Sequence, residues 1–268
     1  MIDDRPIGVF DSGLGGLCAV KELRRLLPKE DIVYFGDTGR VPYGSKSPQT
    51  IIKYARQDAA FLKERGVKLI LAACGTVSAV ALDTIKDDFE IKMFGVVDDA
   101  VSAAVQKTKS GSVAVIGTSA TIESGVFDKK LRAAGIEKVV SQACPLFVHL
   151  VECGFTDRDN EITKGVCRTY LSDIKDCGAD TLILGCTHFP IIADIISDFL
   201  PGVTLIDPAK EAAASVAEYI ASSGIGAANG GKTSYFVSDD GAGFAASAGI
   251  FLGNEEKITA QTVNIQKI

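Results

Sequence analysis

Two nine-residue stretches, GVKLILAAC at 66–74 and GADTLILGC at 178–186, constrain this chain more than any other feature. Each opens on a glycine that closes an amphipathic segment, runs through a short apolar β-rich core and stops at a cysteine. In both, a threonine and another apolar helical segment follow. Runs this short between helical patterns read as fully buried strands of a parallel sheet. A fainter echo links GVFDS at 8–12 with AVIGT at 114–118, each a strand emptying into a hydroxyl-bearing loop. A chain that repeats itself at half its length implies two related units.

The same alternation covers the rest of the chain. Strands are expected at 7–10, 32–35, 69–73, 94–97, 113–116, 138–142 and 181–184. Helices are expected at 16–27, 47–65, 78–87, around 99–107, up to 134, and at 159–177. That rhythm predicts an α/β fold of βαβ units. We expect two pseudo-symmetric domains, each a mostly parallel sheet flanked by helices, with the active site in the cleft between them. The first would comprise 1–98 plus 207–268 and carry Cys74; the second, 99–206, would carry Cys186. Asp207-Pro208-Ala209 opens a further helix, after which the chain would return to complete the first domain.

Composition narrows the function classes. Apolar residues at 47% and charged residues at 23% suit a packed globular chain rather than a disordered one. A net charge of −6 without a basic cluster speaks against nucleic acid or an anionic membrane as partner. No apolar run nears the ~20 residues of a membrane span, and MIDDRPIGVF lacks a signal-peptide layout, so a cytoplasmic location is expected. Seven scattered cysteines with no CxxC pair fit reduced thiols.

In doubly wound sheets ligands bind beyond the carboxyl ends of the strands, so those loops carry the candidates. Cys74 and Cys186 sit at matched strand ends leading into helices, where free amides would stabilise a thiolate. Any one buried cysteine is more often filler, the reading we give Cys18, Cys144, Cys153, Cys167 and Cys177; a matched pair is harder to dismiss. Zinc on Cys74, Cys186 and His188 is conceivable chemically, but the ligand spacing of metal sites is absent, and no metal is expected. His188, two residues beyond Cys186, suits an acid or electrostatic partner. The loop Asp11-Ser12-Gly13-Leu14-Gly15-Gly16 fails the dinucleotide fingerprint, because Cys18 stands where a glycine is needed; Asp11 and Ser12 remain polar groups facing the cleft. Asp37 to Gly44 forms another polar strand-end loop, and Glu152 reads as a solvated loop carboxylate after the apolar run 145–151. Two thiols from mirrored half-sites, with hydroxyls nearby and no cofactor motif, suit removal of a proton from one face of a carbon and its return to the other.

Six segments then make a resemblance explicit: GVFDSGLGGL (8–17), YFGDTGRVPYGSKS (34–47), AACGTVSA (72–79), GTSATIESG (117–125), CPLFVHLVECG (144–154) and GCTHFP (185–190). In these the chain resembles the glutamate racemases of the aspartate/glutamate racemase superfamily along essentially its whole length. The resemblance implies a cofactor-independent two-base enzyme interconverting L- and D-glutamate, supplying the D-isomer for peptidoglycan, and a homodimer. It makes Cys74 the base toward D-glutamate and Cys186 the base toward L-glutamate. Asp11 would assist Cys74, while Glu152 and His188 would assist Cys186. Substrate contacts would map to Asp11, Ser12, Tyr43, Gly44, Gly75, Thr76, Thr187 and His188, with Thr118 and Thr121 from the second domain. An aspartate or other amino-acid racemase, or an inactive binding protein, is the alternative. One departure bears on the site: the family most often has Asn where this chain has Gly75, which removes an amide that could hold substrate.

Overall fold

A computed structural model describes residues 2–253 and 257–265. Met1, 254–256 and 266–268, which fall within the first expected domain, lie outside the described residues. Along the first half the chain forms β1 (Ile7–Asp11), α1 (Leu17–Leu26), β2 (Ile32–Gly36), α2 (Pro48–Glu64), β3 (Leu69–Ala72), α3 (Gly75–Val80), α4 (Leu82–Ile85) and β4 (Lys92–Phe94). Then follow α5 (Val97–Lys107), β5 (Ser112–Gly117), α6 (Ser119–Glu123), α7 (Val126–Ala133), β6 (Lys138–Ala143), α8 (Pro145–Glu152), α9 (Glu161–Asp176), β7 (Thr181–Leu184), α10 (Ala193–Phe199) and β8 (Thr204–Ile206). The chain continues through α11 (Pro208–Ser223), β9 (Thr233–Val237), α12 (Gly241–Ser247), α13 (Gly249–Leu252) and β10 (Ala260–Thr262).

Two sheets result, both parallel at every recorded pairing. The first has the order β10-β9-β2-β1-β3-β4 and the second β6-β5-β7-β8. The segments β2-β1-β3-β4 and β6-β5-β7-β8 have the same order, so β3 and β7, and β1 and β5, are equivalent. In each sheet the chain starts on a central strand, moves to one side and then crosses to the other. The resulting crevices lie beyond β1 and β3 in one sheet and beyond β5 and β7 in the other. All residues of these four strands are buried, which is why their sequences read as continuous apolar runs.

Helices position these strands by ordinary means. Ser47 caps α2 and Pro48 opens it, with Ile51, Ala55, Phe61 and Leu62 on its buried face. Asp58 shares that apolar face. Asp207 caps α11, which packs against α1 and α5, and one apolar core runs through both sheets and this helix.

Several expected boundaries shift. The strand expected at 94–97 lies earlier, at Lys92–Phe94: past the Leu71–Phe94 pair, Ser78 Oγ donates to the Ala72 carbonyl at 3.0 Å and accepts the Val96 N–H at 3.1 Å in place of a ladder bond, and Val97 begins α5. The helix at 78–87 begins at Gly75, directly after Cys74, and breaks into α3, α4 and a 3-10 turn. The helix ending at 134 is two, broken at Gly125, which has φ 64°. The run 145–152, not assigned a helix from its sequence, is α8, with Pro145 in its first turn.

Candidate active site

A cavity of about 150 Å³ lies where the two sets of strand ends meet. Its first-sheet wall is Ser12, the 42–45 segment and Cys74, Gly75 and Thr76; its second-sheet wall is Thr118, Ser119, one side of α8 and Cys186, Thr187 and His188. Three glycines explain how closely these walls approach. A β-carbon on Gly15 would lie 2.1 Å from Thr187 Oγ1, one on Gly44 would lie 2.6 Å from Thr118 Cβ, and one on Gly75 would lie 2.3 Å from the Gly185 carbonyl oxygen. Each contact joins a loop of the first sheet to a loop of the second, and none leaves room for a side chain.

Cys74 follows β3 and is 5% exposed, with Sγ 3.9 Å from Ser12 Oγ. Burial pushes this thiol well above its ordinary pKa, and the Asp11 carboxylate pushes the same way, against the amide N–H groups of Val77 and Ser12. The Val77 amide in the first turn of α3 acts in the direction expected of a helix N-terminus, but burial outweighs it at Cys74. Asp11, the last residue of β1, is fully buried behind the cavity wall. Its Oδ2 accepts the Gly13 and Gly16 N–H groups at 3.1 and 3.0 Å, while Oδ1 has no hydrogen-bond partner.

Cys186 follows β7, and the chain then forms a 3-10 turn, Phe189–Ile192, rather than an α-helix; Pro190 brings no N–H to the turn. Cys186 Sγ lies 3.8 Å from His188 Nδ1, and His188 Nε2 lies 3.0 Å from Glu152 Oε1. Burial disfavours the charged imidazole, but its hydrogen bonds to Cys186 and Glu152 outweigh this and raise its pKa to about 10. His188 is thus held as an imidazolium with both nitrogens directed at acceptors. Glu152 is exposed, as its sequence context suggested, but it ends α8 rather than lying in a loop and is paired through His188 to the thiol.

The hydroxyls cluster. Thr76 Oγ1 and Thr118 Oγ1 are 3.0 Å apart across the cleft, and Thr121 Oγ1 lies 2.9 Å from Thr118 and 3.4 Å from Thr76. Thr121 is 1% exposed and braces this group from behind without lining the cavity. Tyr43 lines the cavity, but its hydroxyl is engaged by Asp37 and Asp58. Among the sequence candidates, Asp11, Glu152 and Thr121 therefore stand behind the wall. Ser45, Ser119, Val148 and His149 line it without having been singled out. Ser45 and Ser119 each adjoin a flagged residue. Val148 and His149 lie on α8, and recognising 145–152 as helix would have placed them. Among the described residues no three His, Cys, Asp or Glu side chains are grouped to hold a metal ion, and no helix is long and apolar enough to cross a membrane.

The model of the family described as Asp/Glu/Hydantoin racemase matches residues 18–216, and a glutamate racemase of Geobacter metallireducens is 44% identical over 94% of each chain. The chain belongs to the Asp/Glu racemase family. Solved structures of family members agree in fold. Francisella tularensis glutamate racemase, in complex with D-glutamate, superposes with a TM-score of 0.92 at 37% identity over 100% of both chains. Thermus thermophilus glutamate racemase, in complex with β-chloro-D-alanine, gives 0.89 at 40% identity, again over 100% of both chains. The Asp/Glu racemase fold thus extends over the full length of this chain.

Proposed function

We propose that this protein is a cofactor-independent glutamate racemase in which one of Cys74 and Cys186 removes the α-proton of glutamate and the other returns a proton to the opposite face. The observation that carries the reading is the placement of two thiols, at topologically equivalent strand ends of two sheets, in the wall of one small cavity. The 37–44% identity to glutamate racemases over nearly the whole chain supports glutamate as substrate. The D-isomer would supply peptidoglycan, the role the family resemblance implies.

With L-glutamate bound, the Cys186 thiolate takes the α-proton: an S–H bond forms, the Cα–H bond breaks, and its electron pair remains on a carbanion conjugated with the carboxylate. The Cys74 thiol then gives its proton to the opposite face, leaving Cys74 as thiolate and Cys186 as thiol; D-glutamate runs the sequence backwards. The His188 imidazolium, itself paired with Glu152, stabilises the Cys186 thiolate. The family resemblance makes Asp11, buried behind the wall with Oδ1 unpartnered, the residue that assists Cys74. The developing charge on the carboxylate needs preorganised donors, and the hydroxyls of Ser12, Thr76, Thr118 and Thr187 with the Gly44 and Gly75 amides supply them.

Incubation with L-glutamate in D2O is expected to yield D-glutamate deuterated at Cα. Cys74→Ser and Cys186→Ser are each expected to cut kcat by about a thousandfold or more while leaving the circular dichroism spectrum unchanged, since the exchange is nearly isosteric and removes only the base. Wild-type activity in either variant would disprove the two-thiol assignment.

A further inference from the structure

Behind the 42–45 wall of the cavity lies a buried polar cluster that the proposed chemistry does not use. Arg40 donates from Nε to Asp37 Oδ2 at 2.6 Å, from one terminal nitrogen to Asp58 Oδ1 at 3.0 Å, and from the other to Gln57 Oε1 at 2.6 Å. Its guanidinium lies over the Tyr54 ring, 4.1 Å from the centroid. The Tyr43 hydroxyl bonds Asp37 Oδ2 and lies 2.9 Å from Asp58 Oδ2. Asp37 and Asp58 are each 0% exposed.

Counting protons decides the charge state. A phenol carries one proton and can donate to one carboxyl oxygen only, so its second short oxygen–oxygen contact requires a proton from elsewhere. Asp37 Oδ2 already accepts from the Arg40 Nε. Asp58 Oδ2 meets only the phenol and is free to carry a proton. The chain of donors then runs from the Asp58 carboxyl to the Tyr43 oxygen and from the Tyr43 hydroxyl to Asp37, with one guanidinium balancing one carboxylate.

We propose that Asp58 is held as a neutral carboxylic acid and that its proton fixes the 37–45 segment against the cavity, which makes Asp58 a positioning residue acting through Tyr43. Tyr43 and Gly44 line the cavity, and Gly44 abuts Thr118 across the cleft, so release of the Tyr43 hydroxyl would loosen a wall of the substrate site. The surroundings agree. Burial and the Asp37 charge push Asp58 well above the usual carboxylate range; Arg40 and the Tyr43 hydrogen bond oppose this, and the Asp11 charge adds to it. Those groups, with Gln57 and Tyr54 of its own helix, are the ones that face the cluster. A folded pKa raised above the unfolded one contributes stability that is complete below the unfolded pKa of about 3.9 and is lost as pH rises toward the folded value.

The test compares Asp58→Asn and Asp58→Ala in the full chain. Asparagine reproduces the neutral acid, donating to Tyr43 and accepting from Arg40, whereas alanine reproduces neither. The infrared spectrum of the wild type at neutral pH is expected to contain a protonated-carboxyl C=O band that Asp58→Asn lacks. The melting temperature of Asp58→Asn relative to wild type is expected to rise as pH increases above 5, as the wild type loses the stability that the neutral Asp58 contributes. Neither measurement depends on the proposed activity. If racemisation is observed, Asp58→Asn should keep kcat/KM within about twofold, while Asp58→Ala loses about tenfold, mainly through KM, the equivalent of one hydrogen bond. Absence of the infrared band, a pH-independent melting difference, or equal losses in the two variants would overturn the proposal.

Discussion

Gly75 adjoins the proposed base Cys74, and what a side chain there would meet is a backbone carbonyl, that of Gly185, 2.3 Å from the β-carbon position. A carbonyl held in a strand end cannot rotate aside as a flexible side chain can, so any substitution must separate the two strand ends that carry the thiols. Gly75→Ala is expected to lose about 1–3 kcal/mol of stability, as overpacking does, and at least about tenfold in kcat/KM, since small misplacements of reacting groups are costly. Gly75→Asn, although it restores the amide usual in the family, should do no better; a gain in activity from that variant would show that the close contact is not what sets the cavity. The sequence marked Gly75 as a departure but could not show that the missing side chain is replaced by contact between backbones. Cys186 and His188, by contrast, were legible because they are two residues apart. Glu152 could be tied to them only through the family resemblance, since its contact with His188 spans 36 residues, and the cross-cleft pairing of Thr76 with Thr118 carries no local signal at all.

At the level of elements, β3 and β7 were readable because a strand buried on both faces is an uninterrupted apolar run, and both end where the sequence changes character. The helix α8 was not, because its eight residues are apolar around most of the circumference and lack a polar stripe to mark a period. Capping gave α11 away: Asp207 and Pro208 form a start signal, and Asp207 Oδ1 accepts from the N–H groups of Ala209 and Lys210 at 2.9 and 3.4 Å. Removing that cap tests the helix as a unit. Asp207→Ala should lower stability in urea by about 1 kcal/mol, nearer the low end of such effects because burial of the carboxylate offsets part of what the cap contributes. The midpoint should shift at unchanged slope, and racemisation should persist; an unaltered midpoint would mean that α11 is held by packing alone.

Across the whole molecule, two sheets of matching order, like the internal echo in the sequence, point to two related units, and the question they raise is whether each folds by itself. The largest apolar core argues that neither does. It contains Val9 and Leu71 of the first sheet, Ile116 and Leu184 of the second, and Ala209 and Val216 of α11, so one face of each sheet is buried in a core shared with the other, while the opposite faces pack in separate clusters around Phe10 and Ile70 and around Val113 and Ile183. The sequence could not reveal this, because periodicity shows which face of an element is apolar and not which neighbour covers it; nor could it show that β9 pairs with β2, from which it is separated by some 200 residues. A shared core couples the halves energetically, so calorimetry should give one unfolding transition with equal calorimetric and van't Hoff enthalpies. Because the cavity draws its walls from both sheets, glutamate at a hundred times its Kd should stabilise that single transition by about 2.7 kcal/mol. Two resolved transitions, with only one responding to glutamate, would show instead that the halves fold separately and that one of them binds the substrate alone.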